Sequence, residues 1–284
     1  VHMSTAFVAG NRSGLVFEDE EVNGYFPKRG EVDGADFSLE QEIADCGKLV
    51  DRLRQSADDK TLASVFRKKA VDRLETEGRD PHDEKALRLA IGRERKLWLS
   101  TQLVQAGMDR AKHWGWPNTY TYTKSLGEQV LAQTQGLRYA IVRPSIVESA
   151  LQFPFPGWNE GFTTSAPLIY ALIKGQGAVP AGDKAVLDII PVDMVAGALI
   201  AITAQQLRAN ERRVYQLASG DSAPFVASRS VELVGLYKRR RFRNKEAGNR
   251  FVNKLRSRIE PQAVTKVAFD RLSSPLVARG SEWL

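Results

Sequence analysis

The chain is 284 residues long, 43% apolar and 26% charged, with a formal charge of +7 and a single cysteine. That length and composition suit a globular chain forming one large domain or two smaller ones. Cys46 alone can form neither an internal disulfide nor a cysteine-based zinc site, no apolar run is long enough to cross a bilayer, and the first residues carry no signal-peptide pattern.

Residues 1–8 read as a short apolar strand, and residues 9–32 as a Gly-rich, acidic loop. A helical block follows. Ser38-Leu39-Glu40-Gln41 has the form of a capping box. Behind it Leu39, Ile43, Cys46, Val50 and Leu53 recur at spacings of four and three, which makes Cys46 a buried structural thiol. Asp59 caps a second helix with Leu62, Phe66 and Leu74 inward. Asp80-Pro81 starts a third, with Pro at the first helical position and Leu87, Ile91, Trp98 and Val104 on one face. This block, about 35–113, is far longer than a strand-to-helix connection needs and reads as an insertion.

A further helix runs from Tyr120 to about Gln135, with Gly136 as its C-cap. Then come a strand over 138–143, a Pro/Phe loop, a helix from Thr163 to Lys174, a strand over 185–190, a helix over 192–206 and a strand over 212–218. The alternation predicts an α/β fold with a parallel sheet flanked by helices. Residues 1–220 form that domain, and 221–284 form a basic, mainly helical C-terminal region. Its charge is concentrated: between 238 and 260, ten Lys and Arg (Lys238 to Arg258) face only Glu246 and Glu260.

The most informative stretch is Gly115-Trp116-Pro117-Asn118-Thr119-Tyr120-Thr121-Tyr122-Thr123-Lys124. Tyr120 and Lys124 stand four apart at the start of a helix, so they share a face. A phenol beside an ammonium is a proton donor whose anion the neighbouring charge stabilises. Tyr122 lies on another face and has no Lys four residues on. His2, His82 and His113 show no metal-ligand spacing. Asp188 and Asp193 suit helix capping or structural pairing better than acid–base work.

The opening Ser4-Thr5-Ala6, the Tyr120/Lys124 helix, the strand ending Arg143-Pro144-Ser145-Ile146-Val147, the loop Phe153-Pro154-Phe155-Pro156-Gly157-Trp158 and the segment Asp188–Ala196 occur in an order that resembles one family. It is that of the alcohol-forming, male-sterility-type fatty acyl-CoA reductases, a branch of the extended short-chain dehydrogenases. The resemblance covers about residues 1–220. It implies a Rossmann-type sheet, with the helical insertion as an apolar cover for a long acyl chain or as plain decoration. It implies NADPH as reductant and a fatty acyl-CoA thioester as substrate, reduced through the aldehyde to the alcohol. Tyr120 is then the proton donor, Lys124 its partner and a ligand of the nicotinamide ribose, and Thr5 the second hydroxyl at the substrate oxygen. Alternation along the strand turns the adjacent Ser4 to the other face. Backbone groups from Pro144 through Ser145 and Ile146 to Val147 line the nicotinamide. Phe153, Phe155, Trp158 and Phe162 floor an acyl channel or anchor their loop.

One departure stands out. No G-x-G-x-x-G occurs, and Gly175-Gln176-Gly177 is the nearest approach. The chain therefore reads as the C-terminal part of a longer reductase, inactive as it stands. Alternatives are a thioester reductase of carboxylic-acid-reductase type that releases aldehyde, and a non-catalytic module that uses the basic tail on membranes or nucleic acid. The expectation is a cytoplasmic enzyme with peripheral membrane contact through that tail. Nucleic acid is the less favoured partner.

Overall fold

The computed structural model describes residues 1–29, 31, 37–162, 164–174, 178–180, 186–209, 211–243, 262–265 and 267–269. The chain divides into two compact units: His2–Ile141 with Glu211–Val214, and Val142–Asn210 with Tyr215–Leu284 and Val1. Residues Gly175, Gln176 and Gly177 and the cations Lys245, Arg250, Lys254, Arg256 and Arg258 lie outside the described residues.

In the first unit, strand β1 is only His2–Met3, shorter than the strand expected over 1–8. Thr5 accepts the Phe7 N–H on Oγ1 at 3.3 Å and caps a 3-10 turn, Ala6–Ala9. A hydroxyl that captures a nearby N–H takes the backbone out of a strand. Helices α1 (Leu39–Ser56), α2 (Lys60–Thr76) and α3 (Glu84–Trp114) form the insertion. Their caps are Ser38, Asp59 and Asp83. Half of the expected box forms: Ser38 Oγ accepts the Gln41 N–H, but the Gln41 amide turns to Asp45 instead. The third helix begins three residues later than expected, because Asp83 Oδ1 accepts from both Lys85 and Ala86. Small residues let α2 and α3 approach closely, with Ala70, Leu74, Ala86 and Ala90 buried between them.

Helix α3 ends at Gly115, whose φ of 100° favours glycine. The Trp116 N–H then returns to the Ala111 carbonyl at 2.8 Å, and the fully buried indole donates to the Val8 carbonyl at 2.8 Å. This sharp reversal delivers the chain to Asn118, which caps α4 (Thr119–Gln133) through a 2.9 Å bond from the Thr121 N–H. The helix stops two residues before the expected Gln135. Arg212 takes the carbonyls of Ala132 and the C-cap Thr134, and also donates to Leu137 just beyond the helix. A cation at a helix C-terminus satisfies these orphan acceptors better than Gly136 alone. The sheet has the order β1-β2-β7, with β2 Tyr139–Pro144 and β7 Arg212–Leu217.

In the second unit, β3 (Ile146–Glu148) pairs in parallel with β6 (Ile189–Pro191). Strand β4 (Ala178–Pro180) runs parallel to β9 (Gln262–Val264). The single strand expected over 185–190 is split at Asp188: β5 (Val186–Leu187) pairs antiparallel with β8 (Phe225–Val226) instead. At the break the Asp188 carboxylate accepts the Ser219 N–H at 2.8 Å. Helices α5 (Ala166–Lys174), α6 (Val192–Arg208) and α7 (Ala227–Arg243) complete the unit. Its core gathers Leu172, Val179, Ala227, Val231 and Val234. The fold is α/β, as expected.

Candidate active site

Tyr120 is the second residue of α4 and is 55% exposed. Lys124 stands one turn further on, and its ammonium donates to the Met3 carbonyl at 2.9 Å. That bond ties the exposed side of α4 to the end of β1, one residue before Ser4 and two before Thr5. Both of these hydroxyl residues are buried. Thr5 Oγ1 serves as the cap described above, whereas Ser4 Oγ has no hydrogen-bond partner among the described residues. His2 packs beside Gly127 of α4. Burial, then the Lys124 charge, pushes the His2 imidazole pKa down, against a smaller upward pull from Glu128.

Tyr122 does the opposite of Tyr120. It is 3% exposed, lies 5.4 Å from the Trp116 ring and donates its hydroxyl to Glu42 of α1. Glu42 also receives both nitrogens of the Arg110 fork from α3, Nε at 2.9 Å, and the Cys46 thiol at 3.8 Å. Cys46 Sγ lies 3.4 Å from the Tyr122 hydroxyl. Burial, then the hydrogen bonds to Cys46 and Glu42, pushes the Tyr122 phenol far up. It therefore stays protonated and committed to Glu42, which removes it as a rival proton donor. The sequence pattern missed Glu42. Leu39, Glu42, Cys46 and Leu49 share the inward face of α1, and Ile43, expected inside, turns outward.

In the second unit Pro144 and Ser145 are buried at the end of β2, and Ile146 and Val147 are half-buried in β3. The Ser145 N–H donates to the Leu217 carbonyl at 2.9 Å and the Ile146 N–H to the Asp188 carbonyl at 3.0 Å. Ser145 Oγ is buried with no partner among the described residues. A strand end that keeps a buried hydroxyl unpaired fits a polar ligand group in the place where α/β sheets bind ligands.

Just beyond, the Asp193 carboxylate accepts the backbone N–H groups of Leu151, Gln152 and Phe153, at 3.0, 2.8 and 3.1 Å. Those bonds hold its pKa down at about 2. The expected helix-capping role is thus minor, limited to the Met194 N–H at 3.2 Å. Phe153 and Phe155 face outward rather than anchoring the loop, Phe162 is exposed but meets the Tyr170 ring edge-on at 5.6 Å, and Trp158 is half-buried. Lys238 also departs from its expected place among the exposed cations: it is buried, with its ammonium 3.4 Å from the Leu172 carbonyl.

The model of the male sterility protein family matches residues 1–199. The chain belongs to that family. It is 30% identical over 250 residues to the alcohol-forming fatty acyl-CoA reductase of Simmondsia chinensis, covering 84% of this chain and 41% of the relative. It is 40% identical over 138 residues to fatty acyl-CoA reductase 8 of Arabidopsis thaliana, covering 48% of this chain and 28% of that one. With human fatty acyl-CoA reductase 2 it shares 44% identity over 114 residues, 38% of this chain and 22% of the relative. The chain spans less than half the length of these relatives. Family membership brings a nicotinamide cofactor with it. Among the described residues no helix is long and apolar enough to cross a membrane.

Proposed function

We propose that this family member serves NADPH-dependent reduction of a long-chain fatty acyl-CoA thioester, through the aldehyde, to the fatty alcohol. Residues 1–220 act as the reductase domain and 221–284 as a basic C-terminal region. The observation that carries the reading is Tyr120, exposed at the start of α4, with Lys124 one turn on and fastened to the Met3 carbonyl. When bound, one NADPH would supply a hydride to the thioester carbon, with coenzyme A leaving as its thiol, and a second NADPH would supply a hydride to the aldehyde. Tyr120 donates its phenolic proton to the carbonyl oxygen, where charge builds, an effect worth on the order of a hundredfold to ten-thousandfold in rate. Lys124 stabilises the phenolate left behind and bonds the ribose. Thr5 gives the same oxygen a second hydrogen bond. Pro144, Ser145, Ile146 and Val147 hold the nicotinamide, and the Ser145 hydroxyl, buried without a partner among the described residues, supports that role.

The enzyme works in the cytoplasm. Its exposed α7 arginines, Arg240, Arg241 and Arg243, make peripheral contact with an anionic membrane. The test is product analysis on the longest reading frame containing these 284 residues, given palmitoyl-CoA and NADPH. Fatty alcohol is expected. Aldehyde alone would move the chain to the thioester reductases, and no thioester consumption would overturn the reading.

A further inference from the structure

The cluster of Glu42, Arg110, Tyr122 and Cys46 lies outside the proposed chemistry, yet it joins three helices at the start of the helix that carries it. Residues two apart on an α-helix point about 200° from each other. Tyr120 and Tyr122 accordingly occupy opposite sides of α4: one is exposed, the other is buried against Trp116 and bonded to Glu42. Whatever fixes the direction of Tyr122 therefore fixes that of Tyr120. Glu42 is well placed to do so. Its carboxylate is 2% exposed, and Arg110 grips it through two nitrogens, a fork geometry that restricts its orientation. Oε1 also accepts the Tyr122 hydroxyl and, at 3.8 Å, the Cys46 thiol.

Such a buried ionic set adds little net stability over an apolar replacement of the same volume. What it adds is direction: an apolar contact tolerates rotation, and a carboxylate–phenol bond does not.

We infer that Glu42, braced by Arg110, is a positioning residue of this reductase: through the Tyr122 hydroxyl it sets the rotation of α4 and so aims Tyr120 and Lys124. The insertion is then more than a cover or a decoration. Two of its helices, α1 and α3, supply the brace for the proton donor. This rests on the proposed role of Tyr120, and the test separates the two.

Tyr122→Phe, Glu42→Gln and their double variant are compared with Tyr120→Phe and with Leu74→Ala, a core truncation between α2 and α3. Each is made in the longest reading frame for kinetics, and in the present chain with fluorotyrosine for NMR of the residue 120 resonance. Tyr122→Phe and Glu42→Gln are each expected to lower kcat on the order of tenfold to a hundredfold, the scale of a small misplacement of a catalytic group. KM should change little. The double variant should lose no more than the worse single one, because both disable the same brace: Tyr122→Phe removes the phenol donor, and Glu42→Gln turns an amide N–H2 against the Arg110 fork. The Tyr120 resonance should shift in both single variants and stay in place in Leu74→Ala, which lowers the melting temperature only. An unshifted resonance in either single variant, or an equal shift in Leu74→Ala, overturns the inference whatever the kinetics show. If the resonance shifts but Tyr120→Phe leaves kcat intact, the brace stands and the proposed role of Tyr120 fails.

Discussion

The Lys124 ammonium donates to the carbonyl of Met3 at 2.9 Å, which links the exposed turn of α4 to the last residue of β1. The hydroxyl residues Ser4 and Thr5 follow directly on that strand, so one bond ties two parts of the candidate site. Lys124→Met keeps the aliphatic stem and removes the charge and the donor. It should cut kcat by a factor on the order of that for Tyr120→Phe, a hundredfold or more. Tyr120→Phe should leave stability within about 0.5 kcal/mol, since its side chain is largely in solvent. Steady-state kinetics with denaturant melts on the same samples checks both. A Tyr120→Phe enzyme with full kcat would remove the phenol from the chemistry.

Ser4 and Thr5 are adjacent and both buried, but their hydroxyls have different duties. Thr5 Oγ1 caps the 3-10 turn, and Ser4 Oγ has no partner among the described residues. Thr5→Val should therefore lose about 1 kcal/mol of stability as well as activity. Ser4→Ala removes an unpaired buried hydroxyl and should be neutral or stabilising. If Ser4→Ala, rather than Thr5→Val, abolishes turnover with an unchanged melting curve, the substrate hydroxyl is Ser4.

His2 is packed by Gly127, near Lys124 and Glu128, with Nε2 buried and unpartnered among the described residues. Its pKa lies below the ordinary imidazole value of 6.5 in the folded chain. As pH falls, the unfolded chain takes up this proton first. The His2 contribution is thus complete above 6.5 and is lost as pH falls towards the lower folded value. Urea midpoints measured across that interval should decline in the parent and flatten in His2→Phe. Equal slopes would show that other groups set the acid response.

The Tyr120–Lys124 pair was legible because helix spacing alone puts the two side chains on one surface. The order of α and β elements was legible for the same reason, as hydrophobic period and caps are local. Glu42 was not. A charge in the first turn of a helix reads as solvated, and only Arg110, 68 residues away, makes its burial tolerable. Ile43 looked like the core position and is exposed instead. The end of β1 was missed because Thr5 could equally extend a strand or cap a turn, and the tertiary setting decided. Asp80-Pro81 carried a helix-start signal, but Asp83, with two N–H partners, captured the start.

Asp193 organises the loop that presents Leu151, Phe153 and Phe155 to solvent. Its three backbone donors bond the ionised carboxylate, which is why its pKa falls from 3.8 to about 2. A depressed carboxylate contributes fully above its unfolded value. That contribution fades as pH falls from about 4 through about 2, where the folded carboxylate takes up its proton. The amide proton resonances of Leu151, Gln152 and Phe153 should titrate together with a midpoint near 2. Asp193→Asn keeps one acceptor oxygen and should retain part of the loop order at neutral pH. Asp193→Ala should release all three amides to exchange. If Phe153 and Phe155 floor an acyl channel, the first of the two roles the sequence offers them, Asp193→Ala should raise KM for long acyl chains more than for short ones, because an ordered loop has already lost the freedom that binding would otherwise cost. An equal change for both chain lengths would leave Asp193 as a loop clamp with no part in acyl recognition.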